Sequence, residues 1–404
     1  MNKNTSIKSL KQHHKAPLSL INQPAATNQE KLFYERIACV MQGGGALGIY
    51  QVGAYRAIQE RGYSPNYLTG VSIGGINAAI IAGNPPEKQI EKLMAFWEGI
   101  SPKILNHVLS NVPNTTIFRD MRNLMGAMYP LMFGLDGFFK PRLIHPWIQS
   151  ENTPDKLSYY DTSELRTTLE NLIDFDLINE KKTTLCLGAV NVESGEMIFF
   201  NNQKMKLTVE HVMASAALPP GFPAVKIDNE YYWDGGIYAN TPLVTVLDAV
   251  PELDTLCFVI DCFRLKGALP TNMDKVEERQ KDIRFASHSR RLTNIYTARQ
   301  NLQSAIQFLS DKLTPESKKD PEVQEILKLG YQKNISLVHL IYNGAPWTHS
   351  YKDYNFVNTA ISNRMEEGYK DTIAVLDQPD WENKSAKTLN CSIYGVQPDY
   401  FDQH

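Results

Sequence analysis

The 404-residue chain has little of what would mark it as disulfide-built, basic, low-complexity or membrane-spanning. Its five cysteines, at 39, 186, 257, 262 and 391, are odd in number, form no C-x-x-C pair and sit mostly in apolar stretches such as IACVM and LCFVI. They read as reduced core thiols of a cytosolic-type protein. Nine histidines without H-x-x-x-H spacing argue against a structural zinc site, and no metal or other cofactor is expected. Lys plus Arg number 41 and Asp plus Glu 44, a net charge of −3, so no nucleic-acid partner is expected and any anion site is local. Twenty-four Gly and 22 Pro are too few for a fibrous or low-complexity chain. The apolar stretch Leu124 to Leu135, broken by Gly126, Pro130 and Gly134, falls short of the ~20 residues of a spanning helix. Residues 1–34 carry Lys3, Lys8, Lys11 and Lys15 with no acid before Glu30, yet lack the apolar core of a signal peptide. They are expected to form a flexible polar tail, and the chain to be cytoplasmic or peripheral at a membrane.

What is present is an alternation of apolar runs, glycine turns and amphipathic helices. RIACVM (36–41) reads as a buried strand, 48–61 as a helix with Ile49, Val52, Tyr55 and Ile58 on one face, 67–69 as a second strand and 76–82 as a small-residue helix. That order implies an α/β fold, a mostly parallel sheet flanked by helices. Residues 35–265 are expected to form this catalytic domain, with 85–182 a helical insertion over the sheet. Strands are expected at 184–190, 197–200, 225–227, 230–233 and 256–260, with a helix over 209–218. Residues 266–404 read as a helical C-terminal extension with one strand, Ile335 to Tyr342, and a last helix near 353–376.

Three short motifs carry chemistry. Gly43-Gly44-Gly45-Ala46-Leu47-Gly48 lies between strand and helix and fits three uses. As G-x-G-x-x-G it suits a dinucleotide, which also requires an acid at the end of the second strand, absent between Gly62 and Gly70. It equally suits an oxyanion hole, where side-chain-free residues aim backbone amides at one oxygen, or a tight turn. Gly70-Val71-Ser72-Ile73-Gly74 matches the G-x-S-x-G nucleophile elbow, the bland alternative being a helix N-cap at Ser72. Paired on adjacent strand ends, elbow and glycine loop would put a nucleophile and oxyanion donors within reach of one carbonyl. A base is then required. Asp234 ends an aromatic strand and precedes Gly235-Gly236, where the competing reading is a hairpin turn.

These elements, in this order, resemble the patatin-like phospholipase family: GGGALG its oxyanion loop, GVSIG its elbow, DGG its aspartate box, and ASAALPPGFPAV (214–225) its Pro-rich stretch. The resemblance covers roughly residues 36–262. It implies a serine acyl hydrolase acting on lipid esters through a dyad, Ser72 as nucleophile and Asp234 as base. Amides of Gly43, Gly44, Gly45 and Ile73 would form the oxyanion hole, with Gly48, Gly70, Gly74, Gly235 and Gly236 supporting the turns. Where the family usually has Arg or Lys at the fifth loop position, this chain has Leu47, a change that suits a less charged substrate.

Rival readings stay open at this level. A Ser–Asp–His triad would use Asp261 and His349, each following an apolar strand. The substrate is a lipid ester or, alternatively, an intracellular hydroxyalkanoate polyester or oligomer. A catalytically silent lipid- or partner-binding module is the reading from another class. Met121, Met125, Met128 and Met132, among Leu124, Tyr129, Leu131 and Phe133, suit an acyl-pocket wall or lid, or else a core helix. Arg284, His288, Arg291, Ile295 and Arg299 share a helical face, read as solvated or as a contact for lipid phosphates.

Overall fold

The computed structural model describes residues 34–112, 115–148, 152–330, 335–344, 348–378 and, as backbone, 391–395. Expectations for residues 1–33 and for the side chain of His288 lie outside the described residues. Tyr34, assigned above to the tail, is buried with its hydroxyl 3.2 Å from Ser336 Oγ. The strands are β1 (Arg36–Met41), β2 (Tyr67–Val71), β3 (Lys140–Pro141), β4 (Tyr160–Asp161), β5 (Thr184–Asn191), β6 (Met197–Asn201), β7 (Val225–Ile227), β8 (Glu230–Asp234), β9 (Thr255–Asp261), β10 (Ile335–Ile341) and β11 (Cys391–Gly395). All but the small β3–β4 pair belong, among the described residues, to one nine-stranded sheet ordered β11-β10-β9-β1-β2-β5-β8-β7, with β6 on β5. From β11 to β5 every pairing is parallel; β6 and β8 pair antiparallel with β5, and β7 with β8.

The central strands explain themselves. TLCFVID and ISLVHLI are buried along their whole length, as strands covered by helices on both faces must be. The helices are α1 (Ile49–Glu60), α2 (Ile73–Ala82), α3 (Gln89–Gly99), α4 (Lys103–Ser110), α5 (Thr116–Phe133), α6 (Ser163–Leu172), α7 (Phe175–Asn179), α8 (Val209–Ser215), α9 (Val244–Leu247), α10 (Met273–Ser310), α11 (Pro321–Leu327) and α12 (Asn358–Leu376). Helix α2, IGGINAAIIA, is buried on every side, which its sequence permits: it is apolar but for Asn77, whose side chain is hydrogen-bonded to Gly48 O, Gln51 and Trp97. Among the described residues no helix is long and apolar enough to cross a membrane.

Two expectations need correction. Helix α2 starts at Ile73 rather than Ile76, so the turn out of β2 is a single residue, Ser72. The C-terminal extension is helical as expected, with α10, α11 and α12, but it carries two strands where one was expected. Both β10 and β11 extend the central sheet, and α12 lies against α1 so closely that a Cβ on Gly368 would stand 2.1 Å from the Tyr50 carbonyl oxygen. Tyr50 Oη donates to Asp371 Oδ2 at 2.9 Å, and Arg61 pairs with Asp377 at 2.7 Å along the same contact.

Candidate active site

Ser72 alone links β2 to α2, and its backbone shows the cost. Its φ of 57° and ψ of −131° lie where a residue with a side chain seldom sits, and such strain persists only where the surroundings impose it. They do so here by close approach: a Cβ on Gly74 would stand 2.2 Å from the Met41 carbonyl oxygen, and one on Gly70 2.3 Å from that of Gly74. The Ser72 amide donates to Ser215 O at 2.8 Å. Its side chain makes no capping bond to α2, which removes the N-cap reading.

Sheet register brings Asp234 to the same point. Strand β2 ends with Val71 opposite Gly188, and β8 ends with Asp234 opposite the next residue, Ala189. One runs parallel to β5 and the other antiparallel, so their carboxyl ends meet head to head along one edge of β5. Gly235-Gly236 then open a 3-10 turn and not a hairpin; the hairpin of this ribbon is at Asp228-Asn229. Asp234 is 1% exposed. Its Oδ1 accepts from the Gly236 amide at 2.7 Å, and Oδ2 is buried without a partner at full hydrogen-bond geometry. Burial pushes the carboxyl pKa up to about 7, against the pull of the nearby Ser72 hydroxyl and the Gly236 amide toward the ionised form. The Ser72 hydroxyl thus lies near the Asp234 carboxyl without a hydrogen bond of full geometry.

The glycine loop closes the third side. After β1, Gly43 donates to Asn240 O at 3.1 Å and accepts from Asn240 Nδ2 at 2.8 Å. A Cβ on Gly43 would lie 3.1 Å from Ser72 Cβ, and one on Gly48 2.7 Å from Ile73 Cγ1, so loop and elbow touch. Gly45 has φ +54 and begins a 3-10 turn in which the Leu47 amide donates to Gly44 O at 3.0 Å. Of the four expected oxyanion donors, Gly43 is therefore already engaged. Among the described residues the amides of Gly44, Gly45 and Ile73 have no hydrogen-bond partner.

The rival triad does not assemble. Asp261, at the end of β9, lies against His339 Nδ1 at 3.3 Å and the hydroxyls of Thr241 and Ser289, whereas His349 meets Asp274 at 3.0 Å. The methionine face of α5 is neither core nor enclosed wall: Met121, Met125, Met128 and Met132 are all exposed. Of the basic stripe, Arg299 pairs with Asp248 at 2.9 Å, while Arg284 and Arg291 line a cavity of about 510 Å³ that reaches Gly236 and Asn240. Sequence reasoning missed Asn240, Ser215 and Gln42. Ser215 and Ala217 carbonyls accept the Ser72 and Asp234 amides, and Gln42, fully buried, ties the glycine loop to Thr241 and the Cys262 amide. ASAALPPGFPAV, which contains Ser215 and Ala217, and ANTP after the DGG box, which contains Asn240, were the stretches of sequence that carried these residues, with nothing local to state their contacts.

Comparison with known proteins gives the family. Residues 39–247 match the family described as patatin-like phospholipase, and residues 283–388 match one described as patatin phospholipase. The uncharacterized protein YqhO of Bacillus subtilis (strain 168) is 25% identical over 209 residues, which cover 50% of this chain and 64% of that protein. The chain thus spans less than two thirds of the length of this curated relative. Among solved structures, VipD from Legionella pneumophila aligns with a TM-score of 0.37 and 16% identity, covering 85% of this chain and 67% of that one. The heterodimeric ExoU–SpcU complex from Pseudomonas aeruginosa aligns with a TM-score of 0.27 and 14% identity, over 91% and 87% of the two chains. With just over half of its residues inside the first of these family matches, the chain belongs to the patatin-like phospholipase family.

Proposed function

We propose that the protein is a serine acyl hydrolase that cleaves lipid acyl esters, with Ser72 as nucleophile and Asp234 as its base. Family membership supports lipid acyl hydrolysis in general terms. The observation that carries the finer reading is the head-to-head meeting of β2 and β8, which brings a strained serine beside a buried carboxylate with a pKa near 7.

In this reading Asp234 is ionised at mildly alkaline pH. Its Oδ2 accepts the Ser72 proton as Oγ bonds the ester carbonyl carbon, and the carbonyl electron pair moves to oxygen. The amides of Gly44, Gly45 and Ile73 hold that oxyanion. Collapse expels the alcohol, which takes the proton back from Asp234, and leaves an acyl group on Ser72. A water, deprotonated by Asp234, then attacks the acyl carbon; the bond from that carbon to Ser72 Oγ breaks, Oγ takes the proton back from Asp234, and the acid is released. Exposed apolar side chains on α5 and in the loop carrying Leu143, Ile144 and Trp147 suit a substrate presented by a lipid surface.

A fluorophosphonate label tests the chemistry directly. The wild-type chain should be labelled at Ser72 and hydrolyse lipid esters, and Ser72→Ala should lose both while melting at an unchanged temperature. Labelling that survives Ser72→Ala would remove the assignment. A hydrolysis screen across phospholipids, neutral esters and hydroxybutyrate oligomers names the substrate.

A further inference from the structure

We propose that Arg364, on α12 of the C-terminal segment, is a positioning residue that charges the oxyanion donors from behind; this rests on the hydrolase reading above. Arg364 is 6% exposed. Its Nη1 donates to Ala46 O at 3.1 Å and to Asn355 O at 2.9 Å, and its Nη2 donates to Lys352 O at 2.8 Å. Among the described residues no carboxylate pairs with it, unlike the nearby Lys352, which meets Asp282 at 2.5 Å. The guanidinium also engages the Tyr342 side chain and lies in the field of the Glu367 carboxylate, with which it forms no ion pair among the described residues, so a buried positive charge stays only partly offset.

That charge is wired to the glycine loop through two peptide groups. Arg364 polarises the Ala46 carbonyl, which shares its peptide with the Leu47 amide. The Leu47 amide donates to Gly44 O at 3.0 Å, and that carbonyl shares its peptide with the Gly45 amide, a donor without a partner. Hydrogen bonds in such a chain strengthen one another, so the Gly45 N–H becomes a stronger donor toward a developing oxyanion. The loop supplies no cation of its own, since Leu47 is apolar and fully buried. The C-terminal segment also shapes the loop. The Asp353 carbonyl oxygen would stand 2.4 Å from a Cβ on Gly45, and Gly45, at φ +54, is the residue that accommodates it. Close packing of α12 on α1 at Gly53 and Gly368 fixes the guanidinium in place.

The test compares full-length wild type with Arg364→Met, Arg364→Lys and, as a control for α1–α12 packing, Tyr50→Phe. The readouts are kcat and KM on a soluble nitrophenyl ester, the fluorophosphonate labelling rate, and the melting temperature. Arg364→Met should lose ~10–100-fold in kcat and labelling rate with KM held within ~3-fold, because the lost stabilisation is felt in the transition state. Arg364→Lys, which keeps the charge, should recover most of that loss. Tyr50→Phe should lower the melting temperature and leave kcat alone. If Arg364→Met does not fold, Arg364→Gln takes its place with the same expectation. An indifferent Arg364→Met, or an Arg364→Lys as impaired as the methionine variant, would overturn the proposal. A wild-type chain that takes no label would overturn the hydrolase reading and this inference together, whereas a labelled wild type with an indifferent Arg364→Met overturns the inference alone.

Discussion

Asp234 draws its basicity from burial, and the same burial weighs on the folded state. Its carboxyl titrates near 3.8 when exposed and near 7 in the fold, so between those values the folded chain binds a proton that the unfolded chain has lost. The contribution to stability is therefore full below about pH 4 and declines as pH rises through 7. Asp234→Asn removes the titration while keeping the side-chain shape. Its unfolding free energy in urea should exceed that of wild type by a margin that grows from pH 5 to pH 8, approaching ~4 kcal/mol for a shift of about 3 pKa units. The same variant should lose ~10²–10⁴-fold in ester hydrolysis, since an amide cannot accept the Ser72 proton. Wild-type activity should rise through pH 7, a limb a histidine base would also give, so pH alone does not separate dyad from triad. His349→Ala does: with His349 bonded to Asp274 and not to Asp261, the variant should retain near-full activity. Ser72 and Asp234 stood out as candidates because each is a residue type with its own chemistry set beside glycines that a sharp turn requires. The roles of Asn240 and Ser215 were not legible, because they act on backbone groups 197 and 143 residues away, and a local motif does not state which distant group it meets.

Helix α5 marks the limit of periodicity. The spacing of Met121, Leu124, Met125, Met128 and Met132 does put them on one face, and that face is exposed. An apolar stripe states which side chains travel together, not what they meet. The opposite side, where Ala127 is 2% exposed and Gly126 approaches Asn355, is the packed one. Met128→Asp should accordingly change stability in urea by no more than ~0.5 kcal/mol, whereas Ala127→Asp should cost several kcal/mol by burying an unpaired charge. Equal losses would reverse the two faces. Element boundaries moved for a related reason. Three residues at the start of α2 looked like a glycine turn because Gly74 and Gly75 are poor helix formers, and tight packing under β1 overrode that propensity.

At the scale of the molecule the C-terminal segment belongs to the structure of the site. It adds β10 and β11 beside β9, covers α1 with α12 and delivers Arg364 and Asp353 to the glycine loop. A chain ended after Phe263 would leave the wholly buried β9 as an open edge and bare the face of α1. It should show no cooperative urea transition by circular dichroism, and a truncated chain that unfolds cooperatively with intact Ser72 labelling would refute this.

The sequence alone determined the local chemistry and the class of fold. Alternating apolar runs and helices dictated a parallel sheet, and G-x-S-x-G and DGG carried the serine and the carboxylate, because turn sterics and strand burial are short-range demands written in adjacent residues. Tertiary structure decided which distant groups those residues face. Only sheet register could bring the ends of β2 and β8 together on β5, and only the packing of loops and helices on that sheet could tie Gly43 to Asn240 and aim a guanidinium from residue 364 at the carbonyl of residue 46. Pairing, burial and the charge they strand inside the protein are properties of the assembled layers, and they have no counterpart in any window of the sequence.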